Sequence, residues 1–257
     1  MKNFRRFGMV ALGALVLCLA GAAARAQTPL RVFTSAHTAP KTYLDHDKLA
    51  GYLVEITAEA LHRAGYVANI EALPWARAIA TAETGEGLLT GFSWTAERAQ
   101  LFAYSDVVYD DRVVLVTRRV ADFPFEKLSD LNGRSIGLQR GSSYGQVLEA
   151  ALGQFHVVRD NGHCERIKML SAGRIDGAIL SGGDAAVRFN AAAAGVDPHD
   201  LVIHRVPVAI DPNYIAIAKN RPDAGEILGR INRALAAMAR DGTTARIIAA
   251  FEVDAGL

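Results

Sequence analysis

SWTAERAQLFAYSDVVY, residues Ser93 to Tyr109, closes one run of strands and helices and leads into another. Thr95 reads as a helix N-cap, which puts Ala96, Glu97 and Arg98 in the first turn. A cation there sits at the positive end of the helix dipole, where an anion is preferred. Free backbone N–H groups at a helix start, joined by a guanidinium fork, make a clamp for a carboxylate. Taken alone, Arg98 reads equally as a solvated side chain on a surface turn, so the flanking chain has to decide.

Upstream, Leu30–Thr34 reads as a strand and Val54–Ala64 as a helix stopped by Gly65, with Val54, Ala58 and Leu61 at helical spacing. Val67–Leu73 is a second strand. Pro74 opens a helix over Trp75–Thr84, Gly85 closes it, and Leu88–Ser93 is a third strand. Downstream, Val113–Thr117 is a buried-looking strand. The alternation predicts parallel α/β sheets. A new unit then begins: strand Ser135–Gln139, the turn Gly141-Ser142-Ser143-Tyr144-Gly145 leading into a helix to Leu152, strand Phe155–Val158, helix Glu165–Ala172, strand Ile175–Leu180 and helix Asp184–Ala194. Strands Leu201–Val206 and Tyr214–Ala218 follow. In the terminal helices Ile227, Leu228, Ile231, Leu235 and Met238 form a core-facing stripe, and Thr243 caps a last helix through Phe251.

The chain has 257 residues and a formal charge of +1. Lys2, Arg5 and Arg6 precede an uncharged apolar run from Gly8 to Ala22, and Ala24-Arg25-Ala26 fits an export cleavage pattern. Residues 1–26 therefore read as a secretory signal that delivers the protein to a periplasm. Leu17 before Cys18 argues against lipid attachment. Cleavage after Ala26 leaves 231 residues with 24 Lys and Arg against 27 Asp and Glu, a charge of −3. Such a chain has no basic stripe for nucleic acid and no cationic face for lipid. Only Cys164 survives cleavage, so no internal disulfide forms and stability comes from burial. The length suits one large domain or two small lobes.

The ordered segments GYLVEITAEAL, TAERAQLFAYSDVVY, LSDLNGRSIGLQRGSSYG, SAGRIDGAI and ALAAMARDGTTARIIAAF, behind a signal peptide, resemble family 3 of the bacterial extracellular solute-binding proteins. These are polar amino-acid receptors of ABC importers. The resemblance spans nearly all of the mature chain. It implies a two-lobed type II periplasmic-binding-protein fold, with two parallel-sheet α/β lobes joined by a two-segment hinge. Lobe 1 would be 27–111 plus 211–257, and lobe 2 would be 112–210. It also implies a monomer, an inner-membrane permease as partner, no cofactor and no catalysis. By the same resemblance Arg98 pairs bidentately with a ligand carboxylate. Ser93 offers hydroxyl and backbone groups to it, Ser142 closes on it from lobe 2, and Trp75 forms a wall. Trp94 and Tyr144 are further candidates to line the cleft.

The chain also departs from the family pattern. An aspartate for the ligand ammonium is usual where this chain has Ser181, and Asp184 lies three residues late. Leu53 stands where an acid is common, and Thr38 and Lys41 replace aromatic residues. Lys41 would suit a second anionic group on the ligand. Carboxylate binding is therefore better supported than α-amino-acid binding. Two enzyme readings compete. Gly141–Gly145 fits G-x-S-x-G, which would make Ser143 a nucleophile with Asp184 and His204 in hydrolase order. A dehydratase on the same fold would need an acid or base such as Glu55, Asp184 or His37 in the cleft. His163-Cys164-Glu165 lacks a second ligand pair for zinc, so no metal is expected.

Overall fold

A computed structural model describes residues 28–254; the signal-peptide expectation falls on residues outside that range. In chain order the elements are β1 (Thr28–Thr34), β2 (His37–Thr38), β3 (Thr42–Asp45), β4 (Lys48–Ala50), α1 (Tyr52–Arg63), β5 (Tyr66–Ala72), α2 (Trp75–Glu83), β6 (Leu88–Ser93), α3 (Arg98–Leu101), β7 (Phe102–Tyr104) and β8 (Tyr109–Arg118). They continue with β9 (Ser135–Gln139), α4 (Gln146–Ala151), β10 (His156–Asp160), α5 (His163–Ser171), β11 (Gly177–Leu180), α6 (Gly183–Ala194), β12 (Leu201–Ile203), β13 (Ala209–Ala218), α7 (Ala224–Arg240) and α8 (Thr243–Asp254).

The strands form one curled sheet in the order β10-β9-β11-β8-β13-β6-β1-β5. Each end is parallel: β5-β1-β6 in the first lobe and β10-β9-β11 in the second. The middle, where the crossing strands β8 and β13 join these two parallel sets, is antiparallel. β8 carries the chain out of the first lobe and β13 brings it back, so the two crossing strands run in opposite directions. Along β8, Tyr109–Val113 pairs with β13, whereas Val114–Arg118 pairs with β11 and β12. The sequence reading missed the starts of both strands. Asp110-Asp111-Arg112 and Asp211-Pro212-Asn213 are polar, and no alternation of apolar residues marks them.

Each lobe is layered around its sheet. On α1 the buried Leu53, Ile56, Ala60 and Leu61 face the α7 stripe of Ile227, Ile231, Leu235 and Met238. In the second lobe Val113 and Leu115 point to one core and Val114 and Val116 to another. Successive strand residues face opposite sides, so a strand covered on both faces reads as an unbroken apolar run. The small sheet β2-β3-β4 was not foreseen, because its strands are short and polar.

The lobes are shut against each other. Asn190 Nδ2 on α6 donates to Ala39 O at 2.8 Å, and the rings of Tyr43 and Phe189 lie 5.1 Å apart. Gly162 approaches His37 so closely that an added Cβ would fall 2.5 Å from the histidine Cβ.

Candidate functional site

The C-terminal ends of β1, β6, β9 and β11 converge where the lobes meet, the usual place for a ligand in an open α/β sheet. They enclose a cavity of about 30 Å³, lined by Thr34, Ser35, Thr38, Lys41, Thr42, Leu53, Trp75, Thr90, Gly91 and Ser93 on one side. Gln139, Ser142, Ser143, Tyr144 and Ser181 face them, with Asp211 from the crossing strand. Hydroxyl groups dominate, and a space this small holds water rather than a solute.

Arg98 lies beside this cavity. Thr95 Oγ1 accepts from the Arg98 backbone N–H at 3.2 Å, but α3 itself begins at Arg98 with Glu97 as its N-cap, so Ala96 and Glu97 lie in the turn before it rather than in its first turn. The guanidinium donates to Ser93 O at 3.0 Å through Nη1 and to Gly141 O at 2.9 Å through Nη2, bridging the lobes. Its central carbon lies 4.3 Å from the centre of the Phe92 ring. Burial lowers the pKa of Arg98, and the acids that act on it do so only through space. Among the described residues no carboxylate stands within ion-pair reach of it. Its other face opens on a pocket of about 600 Å³ that Ser142 and Ser143 also line.

The opposite case is Asp211. Its side chain is buried, 3 % exposed, on the cavity wall. Ser93 Oγ lies 2.6 Å from Asp211 Oδ2, and Asn213 Nδ2 approaches the same oxygen at 3.4 Å. No lysine or arginine is within ion-pair reach among the described residues. Burial pushes the carboxyl up to about 6, opposed by the Ser93 hydroxyl and by Lys41. Ser93 Oγ also lies 2.9 Å from Ser143 O, so its single proton serves two acceptors in different parts of the fold.

The charge of Lys41 is already matched. Nζ lies 2.7 Å from Asp111 Oδ2 and 3.1 Å from Asn213 Oδ1. Asp111 Oδ1 accepts from the Gly182 backbone N–H at 2.6 Å, and Tyr109 Oη reaches Asp111 and Asn213. The structure therefore gives Lys41 a partner other than a second anionic group on a ligand. Ser181 Oγ lies 3.4 Å from Nε2 of the fully buried His163, whose pKa burial drives well down.

Of the candidates from the sequence, Ser93, Ser142, Trp75 and Tyr144 line the cavity and Arg98 adjoins it. Trp75 packs edge-on to Phe92 with ring centres 6.0 Å apart. Tyr144 also belongs to the second-lobe core. Asp184 and Trp94 stand elsewhere. Asp184 pairs with Arg112 at 2.7 Å in a separate pocket, and Trp94, 43 % exposed, lines an adjoining pocket whose wall shares Tyr144 and Asp211 with the cavity.

No hydrolase triad assembles. Ser143 Oγ is buried without a hydrogen-bond partner, Asp184 faces Arg112, and His204 lies by Thr117 and Asp122. Glu55 and His37 are exposed and do not line the cavity, which removes the acids and bases named for a dehydratase. Among the described residues no group of His, Cys, Asp and Glu is placed to hold a metal ion, and no helix is long and apolar enough to cross a membrane.

Asp211 was not singled out in the sequence. Its one signal is that it is the single charged residue in the run VPVAIDPNYIAIA.

Residues 30–252 match the family model described as bacterial extracellular solute-binding proteins, family 3, and the chain belongs to that family. The chain is 26% identical over 214 residues to the arginine-binding extracellular protein ArtP of Bacillus subtilis, covering 81% of this chain and 80% of that one. It is 23% identical over 259 residues to the L-cystine-binding protein TcyA of the same organism, covering 94% and 93%. In fold it is similar to an ancestral arginine-binding protein solved with arginine, with a TM-score of 0.75, 22% identity, and coverage of 88% of this chain and 99% of that one.

Proposed function

We propose that this protein is the periplasmic receptor of an ABC importer and captures a small carboxylate-bearing solute, an amino acid or related organic acid, between its lobes. Arg98 carries the reading. It is a half-buried guanidinium held by two carbonyls at the lobe boundary, with no carboxylate within ion-pair reach among the described residues. A partly desolvated cation without a counter-ion is costly unless a ligand supplies one. The named substrates of the relatives, arginine and cystine, both carry a carboxylate, in keeping with that clamp.

Capture is binding followed by closure, without bond chemistry. The lobes move as 27–111 with 211–257 against 112–210, about the antiparallel β8–β13 pair. The change of partner along β8 between Val113 and Val114 supports that division. The Arg98–Gly141 and Ser93–Ser143 contacts tie the shut form, and a solute that enters the opened cleft takes over part of them. Ligand shifts the equilibrium only as far as it prefers the shut form. The liganded monomer then docks on the permease in the inner membrane, and residues 1–26 are removed on export.

A thermal-shift screen against amino acids, dicarboxylates, keto acids and aromatic acids tests this, because a ligand that binds only the folded state raises the melting temperature. A shift with one acid, lost in Arg98→Ala, is the expected result. Replacement should cost about 2–5 kcal/mol of binding, since buried donors lose their anion. Equal binding by Arg98→Ala would overturn the site.

A further inference from the structure

We propose that the start of α5 and residues 37–41 of the first lobe form an acid-sensitive latch: the lobes shut only over a neutral His163, and protonation of that ring opens the cleft. The proposal rests on the reading that the lobes hinge about β8 and β13, and adds what sets the balance between the two forms.

Gly162, the N-cap of α5, has a φ of 171°, extended backbone that any residue adopts. Nothing in that backbone demands glycine. The demand comes from the first lobe. An added Cβ would fall 2.5 Å from His37 Cβ and 2.8 Å from His37 O. A side chain at this position is therefore compatible with α5 and incompatible with the shut form. Beside it, Asn190 Nδ2 donates to Ala39 O and the ring of Phe189 meets that of Tyr43.

His163 follows Gly162 and is fully buried. From its own lobe it meets Ser181 on β11, whose Oγ lies 3.4 Å from Nε2. Its Nδ1 is buried without a hydrogen-bond partner. From the first lobe, the backbone of Ala39 and the charge of Lys41 act on it. The segment 37–41 thus covers the ring, and moving it away lets water in.

The charges that act on the ring are both cations, Arg166 on α5 and Lys41 before β3. Asp160 matches the first and Asp111 the second, so neither carboxylate is free for His163. Ser181 on β11 and Asn190 on α6 are uncharged, and His37 on β2 is exposed. Burial holds the His163 pKa well below the ordinary value of 6.5, the two cations add to this, and the Ala39 backbone opposes it. In the open form the ring regains water and its ordinary affinity for protons. The shut form binds fewer protons, so acid favours opening. Below the ordinary histidine value the open-to-shut ratio rises about tenfold per pH unit until the shut form itself titrates. Asp211 acts in the opposite sense, because the shut form raises its carboxyl and acid there favours closure.

The test uses the free protein. The His163 ring is titrated by NMR in wild type and in Gly162→Ala, and the radius of gyration of both and of His163→Gln is measured by small-angle scattering as pH falls from 8 to 5. Gly162→Ala should keep the wild-type circular dichroism, show the larger radius at every pH, and titrate His163 near the ordinary value. In wild type His163 should titrate at least about one pH unit lower, a tenfold weaker hold on the proton. The wild-type radius should be small at pH 8 and approach that of Gly162→Ala in acid, whereas His163→Gln stays compact throughout. The same His163 titration in wild type and Gly162→Ala, a wild-type radius that does not change, or the same rise in His163→Gln overturns the latch. The last two outcomes decide the matter even where Gly162→Ala does not fold. If Gly162→Ala has the larger radius while one of these outcomes holds, hinge closure stands without the latch. If all three proteins keep one compact radius at every pH, the lobes do not open and the closure reading fails too.

Discussion

Two arginines, one buried and one half-buried, show how differently this molecule treats charge in its interior and in its cleft. Arg166, inside the second lobe, is fully buried with its partner Asp160, and two guanidinium nitrogens meet the two carboxylate oxygens at 2.7 Å. A third bond goes to Ile179 O at 2.5 Å, so little of the fork is left free. Arg98 has a ring face and two carbonyls but no anion, and Asp211 has a hydroxyl and an amide but no cation. The first pair is closed on itself and serves the fold. These two charges touch the same residue, Ser93, without pairing with each other. Desolvating a charge without matching it costs stability, so the retention of Arg98 at the junction of two lobes points to a ligand.

The contrast can be broken most forcefully at Arg166. Arg166→Leu strands Asp160 in the core and should cost about 3–5 kcal/mol of stability, read as a lower denaturant midpoint. A loss below about 1 kcal/mol would mean that the interior pair is no better matched than the cleft charges. Arg98→Ala should behave in the opposite sense, with ligand affinity falling and the unfolding free energy of the free protein changing by less than about 1 kcal/mol, since the lost contacts to two carbonyls and the Phe92 ring are offset by relief of an unmatched cation.

Asp211 sharpens the comparison through pH. Its folded pKa, about 6, is above the ordinary carboxylate value of 3.8. Between those values the native state binds more protons than the unfolded chain, so its contribution makes the free protein less stable as pH rises from about 4 to 6. Asp211→Asn should remove that penalty and raise the stability of the unliganded protein at pH 7 by up to about 2–3 kcal/mol, with no matching gain at pH 3.5. A destabilised variant at pH 7 would show that the carboxylate holds the fold together instead of straining it. The smallest effect belongs to a solvated pair. Arg230 and Glu226, one turn apart on α7 at 2.7 Å, should be worth less than about 0.5 kcal/mol in an Arg230→Ala melt, and a larger change would undercut the ranking by burial.

The α/β alternation was legible because each regular element carries its period. On α1 the helical period was read from Val54, Ala58 and Leu61, of which only Leu61 lies on the buried face, with Leu53, Ile56 and Ala60 beside it; the run at Val113–Val116 is apolar because both of its faces are covered. Thr95 and Arg98 were legible as a capped turn, since both lie within four residues and their contact is local. Tyr109–Arg112 and Ala209–Asn213 were not, because polar crossing strands pair with each other across roughly a hundred residues and leave no period in either segment. Asp184 shows the same limit from the other side. Its place in the chain suggested the cleft, and its bond to Arg112 puts it in another pocket.

By itself the sequence determined the repeating elements, the capped turn at Arg98, and the hydroxyl-rich ends of β6 and β9, all of which follow from near neighbours in the chain. Only the tertiary structure decided that Lys41 is consumed by Asp111 while Arg98 and Asp211 remain unmatched on either side of Ser93. The physical reason is that the state of a buried charge depends on which distant groups close around it, and those groups meet only when the chain is folded.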